Sequence, residues 1–241
     1  MQTVPMRGDE AAQTRDFIQS LCGEFQKHNY IDPSYYEHID VKRGLRNADG
    51  TGVMAGITQI GNVQGYYIQD GERVPMEGRL IYRGISIEDL IHGFVSEGRF
   101  GFEETAYLLL LGRLPNAAEL ESFKNQLAYY RTLPGNFVRD VILKAPSQDI
   151  MNSLARSVLN LASYDERCDD ISLPNVMRQC LQLIALFPVL SVYGYQAYTY
   201  KSGNSLYIHA PQPELSTAEN ILSLLRPDSS YSFWEAHVLD I

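Results

Sequence analysis

Five histidines and three cysteines are the first residues to test for chemistry, since imidazole and thiol titrate or ligate near neutral pH. His28, His38, His92, His209 and His237 fall into no HExxH pair and no other metal-ligand spacing, so no metal site is expected. Cys22, Cys168 and Cys180 are odd in number, far apart and without a CxxC pair, which reads as reduced thiols. A GxSxG nucleophile elbow is absent. The glycine cluster GTGVMAG (50–56) resembles a phosphate loop in composition only. It lacks the Lys-Ser/Thr ending and joins no clear strand to a helix, so turn glycines explain it better. Arg83, in LIYRG, could hold a substrate carboxylate through a bidentate guanidinium contact. It could equally hold the preceding hairpin against the helix that starts at Ser86, and the structural role is favoured. His209 and His237 are likewise read as structural, His237 in a surface or packing role. None of these motifs assigns a catalytic residue, and substrate-binding residues stay unassigned.

The elements around these residues are mostly helical. Phe17, Ile18, Leu21 and Phe25 share one side of an amphipathic helix over 9–29, and SYYEHI supplies about one further turn. Residues 50–85 are the exception. Seven glycines punctuate short Val-, Ile- and Tyr-rich runs, and Asp70-Gly71 fits a tight hairpin turn between GYYI and RVPM. From Ser86 onward helices follow closely: one capped by Ser86 and carrying Leu90, Ile91 and Phe94, one over 102–111 with Gly112 as a left-handed C-cap, one starting at Asn116. Further helices are expected over 134–144, 147–163 and 173–201, the last kinked or divided at Pro188. Ser216 with Glu219 forms a capping box ahead of Ile221, Leu222, Leu224 and Leu225, closed by Arg226-Pro227. A last helix begins near Ser232 and runs to Ile241 with no Gly, Pro or cationic stop, so the chain is expected to end inside a helix. The fold class is mostly α: a multi-helical domain with a small N-terminal β-hairpin region, incomplete at the C-terminus.

Composition narrows the partners. A net charge of −9 argues against a broad face for nucleic acid. No run reaches the eighteen or so apolar residues of a spanning helix, and residues 176–200 are broken by Arg178, Gln179, Gln182 and Pro188. The N-terminal MQTVPMRGDEAAQTRDF lacks an apolar core with a cleavage site and is not Arg/Ser-rich, so the expected location is cytoplasmic.

Several separated stretches resemble citrate synthases, in order: VKRGLRNADGTGVMAGITQIGNV (41–63), EGRLIYRGISIEDLI (77–91), FEETAYLLLLGRLPNAAELESF (102–123), DIMNSLARSVLNLASYDE (149–166), then PELSTAENIL, LLRPDSSY and EAHVLDI. The resemblance covers roughly residues 31–241. It implies an N-terminal helix and lead-in over 1–30, and over 31–241 the N-terminal part of the large, scaffold domain, with the small catalytic domain absent. The family's reaction is an acyltransferase one, condensing acetyl-CoA with oxaloacetate to citrate and CoA. It uses an aspartate base and a neutral histidine for the enolate. A second histidine and arginines hold oxaloacetate, with no metal and no cofactor beyond the substrates. These groups would follow Ile241, and His237 precedes the VLDI tetrapeptide after which the family's first active histidine comes. The resemblance therefore implies that residues 1–241 alone are inactive. It equally fits 2-methylcitrate synthases, which use propionyl-CoA, and a truncated non-catalytic homologue acting as a dimerising or regulatory partner. It further implies a homo-oligomer through two helices. One carries Met151, Leu154, Val158, Leu159 and Leu161; the other carries Leu181, Ile184, Leu186, Val189 and Leu190.

Overall fold

The computed structural model describes residues 8–48 and 50–241, with side chains from Ala12 onward. The first seven residues of the N-terminal lead-in lie outside the described residues. Among the described residues the order is α1 (Gly8–His28), α2 (Tyr35–His38), β1 (Gly61–Gln69), β2 (Glu72–Tyr82), β3 (Ile85–Ser86), α3 (Ile87–Ser96), α4 (Phe102–Leu111), α5 (Ala117–Tyr130), α6 (Ile150–Leu161), α7 (Leu173–Lys201), α8 (Thr217–Leu225) and α9 (Phe233–Asp240). The expected α-rich architecture is present.

The three strands make one sheet in the order β1-β2-β3, all antiparallel. Asp70 and Gly71 turn the chain with φ of 52° and 83°, and Gln69 pairs with Glu72. Two successive positive φ values match the twist of the flanking strands, which is why Asp-Gly closes a two-residue hairpin. Pro75 sits opposite Tyr66, beside the register shift between Gln64 and Tyr66. A residue without an N–H fits a strand where pairing is already broken. The hairpin projects into solvent: Val63 is 80% exposed.

The helices are bounded as their sequences specify. Ser86 accepts from the Glu88 amide, while Asn116/Glu119, Ser216/Glu219 and Ser232/Glu235 form reciprocal capping boxes. Gly112 ends α4 at φ 87°, and its N–H bonds to the Leu108 carbonyl at 2.8 Å. The expected helix over 134–144 is not formed. Asn136 takes a left-handed φ of 63°, and only a π-helical turn follows, Val138–Ile142, with Leu143 N bonding back to Val138 O. The Pro134-Gly135-Asn136 turn delays the start, since proline restricts the residue before it and Asn136 is left-handed; Phe137, with helical dihedrals, is buried just before the π-turn.

Helix α7 runs through both apolar clusters. Its first half packs Met177, Leu181 and Ala185 against Ile18 and Leu21 of α1, Tyr107 and Leu111 of α4, and Phe123 and Leu127 of α5. Its second half packs Leu186, Val189, Leu190 and Tyr193 against Phe137, Ile142 and Leu224, flanked by Leu154, Val158 and Leu161 of α6. Pro188 lies inside this helix, which is not divided there. The proline removes one backbone bond and costs about 3 kcal/mol. Fully burying a Leu- or Val-sized side chain contributes about 1.5–3 kcal/mol, and several on either side hold the axis continuous. By length and hydropathy α7 could cross a membrane, but it is packed by α1, α5, α6 and α8, as the central helix of a folded core is.

Candidate functional site

Residues with reactive side chains converge where α4 meets α8 and α9. Glu103, in the first turn of α4, has 0% exposure. Its Oε1 accepts the Thr217 amide and hydroxyl at 2.8 Å each. Arg131, at the end of α5, lies 3.5 Å from that oxygen and donates to the Leu215 carbonyl at 2.6 Å and to Thr217 Oγ1 at 3.3 Å. Burial pulls the Arg131 guanidinium down, opposed by the Glu103 charge. Asp240, the last residue of α9, accepts from the amides of Gly101 and Phe102 at the start of α4. Burial pushes its carboxyl up, and those amides work against that shift. His237, 4% exposed, is enclosed by the rings of Phe94, Phe100, Phe233 and Trp234.

The cluster holds carboxylate, imidazole and guanidinium together: Glu103 Oε1, Arg131 and Asp240 are engaged at helix ends, while Glu103 Oε2 and His237 Nδ1 are buried without a hydrogen-bond partner. Glu103 and Asp240 each bind backbone N–H groups at a helix start, where the macrodipole favours a negative charge. Arg131 takes the carbonyl of the chain entering α8. Neither the cavity bounded by the π-turn, α6 and α7 nor the shallow one at 36–41 is lined by any of them. The arrangement ties α4, α5, α8 and α9 together.

Arg83 is structural, with partners other than those expected. It does not reach the helix starting after Ser86. At φ 50°, its Nε and Nη2 donate to the Leu109 carbonyl at 3.2 and 2.8 Å, while Nη2 also reaches Asn29 Oδ1 at 2.6 Å. One guanidinium thus fastens the base of the hairpin to the C-terminal ends of α1 and α4. Residues 50–56 form an irregular loop with one bend at its start: Gly50 has φ 83°, its carbonyl accepts from Arg46 Nη1, and Gly52 forms a bridge with Arg46. The His209 carbonyl accepts the Tyr193 hydroxyl at 2.6 Å, pinning the loop before α8 onto α7. His28 ends α1, His38 ends α2, and His92 lies on the exposed side of α3. Cys22 is buried, Cys180 half-buried and Cys168 exposed, all as free thiols; burial raises the first two. Among the described residues no three His, Cys, Asp or Glu side chains gather in a way that could hold a metal ion.

Glu103, Arg131 and Asp240 were not singled out in the sequence. The available signal, for Glu103 alone, was the acidic pair that opens the otherwise mostly apolar FEETAYLLLL. The proposed interface residues divide. Leu181, Leu186, Val189 and Leu190 are buried within this chain, whereas Met151 and Leu159 are 73% and 75% exposed.

Against known proteins, the family model described as "Citrate synthase, C-terminal domain" matches residues 47–241. A protein of Corynebacterium glutamicum named 2-methylcitrate synthase 2 is 26% identical over 77% of this chain and 42% of its own length. The citrate synthase of Haloferax volcanii is 32% identical over 61% of this chain and 37% of its own. The crystal structure of citrate synthase from Pyrobaculum aerophilum superposes with a TM-score of 0.59 at 25% identity, over 78% of this chain and 46% of that one. The chain therefore spans less than half the length of these relatives.

Proposed function

The chain belongs to the citrate synthase family, and from that premise we propose that it supplies the N-terminal part of the large, scaffold domain of a condensing acyltransferase. The reaction removes a proton from the methyl group of acetyl-CoA, adds the carbanion equivalent to the oxaloacetate carbonyl, and hydrolyses the thioester to citrate and CoA. Removing so weak an acid near neutral pH needs a positioned base and a hydrogen-bond donor at the developing enolate oxygen, held away from water. The observation supporting the scaffold reading is that Glu103 Oε1, Arg131 and Asp240 hold helix ends together. Residues 1–241 by themselves are accordingly inactive, in keeping with a cytoplasmic protein that takes small-molecule substrates and pairs with a second copy rather than with nucleic acid or membrane.

A second reading rests on the Corynebacterium relative: the same scaffold could serve propionyl-CoA and yield 2-methylcitrate. One assay addresses both. CoA thiol release from acetyl-CoA or propionyl-CoA with oxaloacetate is followed for residues 1–241 and for the whole protein in which this chain occurs. No release is expected from the first, and acyl-dependent release from the second. Release by residues 1–241 would overturn the scaffold reading, and silence of the whole protein with both acyl-CoAs would leave a dimerising, non-catalytic homologue.

A further inference from the structure

We propose that the cleft between the π-helical turn Val138–Ile142, α6 and α7 is a binding site for a small oxyanion, a free phosphate or carboxylate group, held by Arg156. The cavity has a volume of about 200 Å³, room for a compact anion and too little for a coenzyme. Arg156 lines it and makes no ion pair among the described residues. Its Nη2 donates to the Ala145 carbonyl at 3.0 Å and to Ser153 Oγ at 3.4 Å, while its Nε–H is buried with no partner. A buried donor on a permanent cation costs free energy unless something accepts from it. Arg131, which is buried, is matched to carbonyls and a carboxylate, whereas half-buried Arg156 keeps one buried N–H for which the chain supplies no acceptor.

The surroundings suit an anion. Ser153, Ser157 and Asn160 lie on the same face of α6 as Arg156, and Gly194 of α7 leaves the opposite wall without a side chain. Asp140 is the one carboxylate in the lining, and both its oxygens accept from Arg139 at 2.8 Å. Lys144 is close enough to Asp140 to lower its carboxyl, and Lys201 Nζ reaches the Pro146 carbonyl at the rim. Asp149 is used as the α6 N-cap. Two acids thus stand against Arg139, Lys144, Arg156 and Lys201, a local surplus of positive charge in a chain of net charge −9. A π-helical wall is also where functional sites recur. This face of α6 is distinct from the one that exposes Met151 and Leu159, so the site and self-association are separable.

Sodium phosphate and sodium acetate, each titrated into the 241-residue chain at constant ionic strength with chloride, test the proposal by calorimetry and by the Arg156 Nε–H resonance. Saturable binding that shifts this resonance is expected for at least one of them; which one distinguishes a phosphate from a carboxylate ligand. Arg156→Gln should weaken it by about 10-fold or more, Arg156→Lys by less, and Arg15→Gln, an exposed charge loss elsewhere, hardly at all. Gly194→Ala provides a fold-preserving arm. Its Cβ would find only Ser153 Cβ, at 3.8 Å, so the melting temperature should hold or rise while the anion binds more weakly. Absence of saturable binding by both anions, binding that leaves the Arg156 resonance unmoved, or equal affinity in Arg156→Gln and the unsubstituted chain would overturn it.

Discussion

Glu103 holds Thr217 by two bonds of 2.8 Å, to its amide and to its hydroxyl, across 114 positions of sequence. The contact ties the start of α8 to the first turn of α4, with Arg131 3.5 Å away as the compensating charge. Removing one member of a buried pair leaves the other charge unpaired, so Glu103→Ala should cost about 3–5 kcal/mol. Glu103→Gln keeps an acceptor for the amide and should cost less, roughly 1–3 kcal/mol. Urea unfolding of both variants checks this, and an alanine variant within about 0.5 kcal/mol of the parent would deny the lock.

Arg83 ties the hairpin base to the ends of two helices through a planar fork, a geometry that lysine lacks. Arg83→Lys should therefore recover less than half of the stability lost in Arg83→Ala, itself about 2 kcal/mol. Hydrogen exchange should rise first at the last turns of α1 and α4; exchange unchanged there would contradict the tie.

Two left-handed glycines give a matched pair. A Cβ on Gly98 (φ 64°) meets nothing within 4 Å, so Gly98→Ala pays only for its backbone, about 1 kcal/mol. A Cβ on Gly112 (φ 87°) would lie 2.4 Å from His28 Cβ. Gly112→Ala should cost about 2–3 kcal/mol, since α1 must also shift. Equal melting temperatures for the two variants would show that the α1–α4 approach is looser than described.

Acid stability has a named source. Hydrogen bonds from Lys27 and then Arg113 hold Glu24 at about 2, well below the ordinary 4.5, and Arg113 also lowers Glu119. A carboxyl depressed in the folded state stabilises it above the unfolded value and loses that contribution as pH falls through the folded one. The denaturation midpoint should drop between pH about 4.5 and about 2. Arg113→Gln should flatten that drop; an unaltered pH profile would count against the network.

Self-association should run through α6. Met151, Ala155 and Leu159 lie on one exposed face, turned away from Leu154, Val158 and Leu161, which pack inward. Met151→Asp with Leu159→Asp should shift light-scattering mass from dimer to monomer while leaving helicity intact, because these side chains support nothing within the chain. A dimer that survives both changes would place the interface elsewhere.

Local rules determined much of this molecule. Capping boxes at Asn116, Ser216 and Ser232, the Asp70-Gly71 turn and the Gly112 stop depend on neighbours a few residues apart, so the sequence states them directly. The family too was legible, because its motifs recur in order along the chain. Tertiary structure decided the rest. Over 134–144 the left-handed Asn136 and the π-turn that packs Phe137 and Ile142 against α7 replaced the expected helix. Whether Pro188 divided a helix depended on packing from both sides. The partners of Arg83, Glu103 and Asp240 lie 26 to 139 positions away. A guanidinium or carboxylate looks the same in sequence whether it will meet a substrate or a helix end, and only folding brings its long-range partner within hydrogen-bond distance.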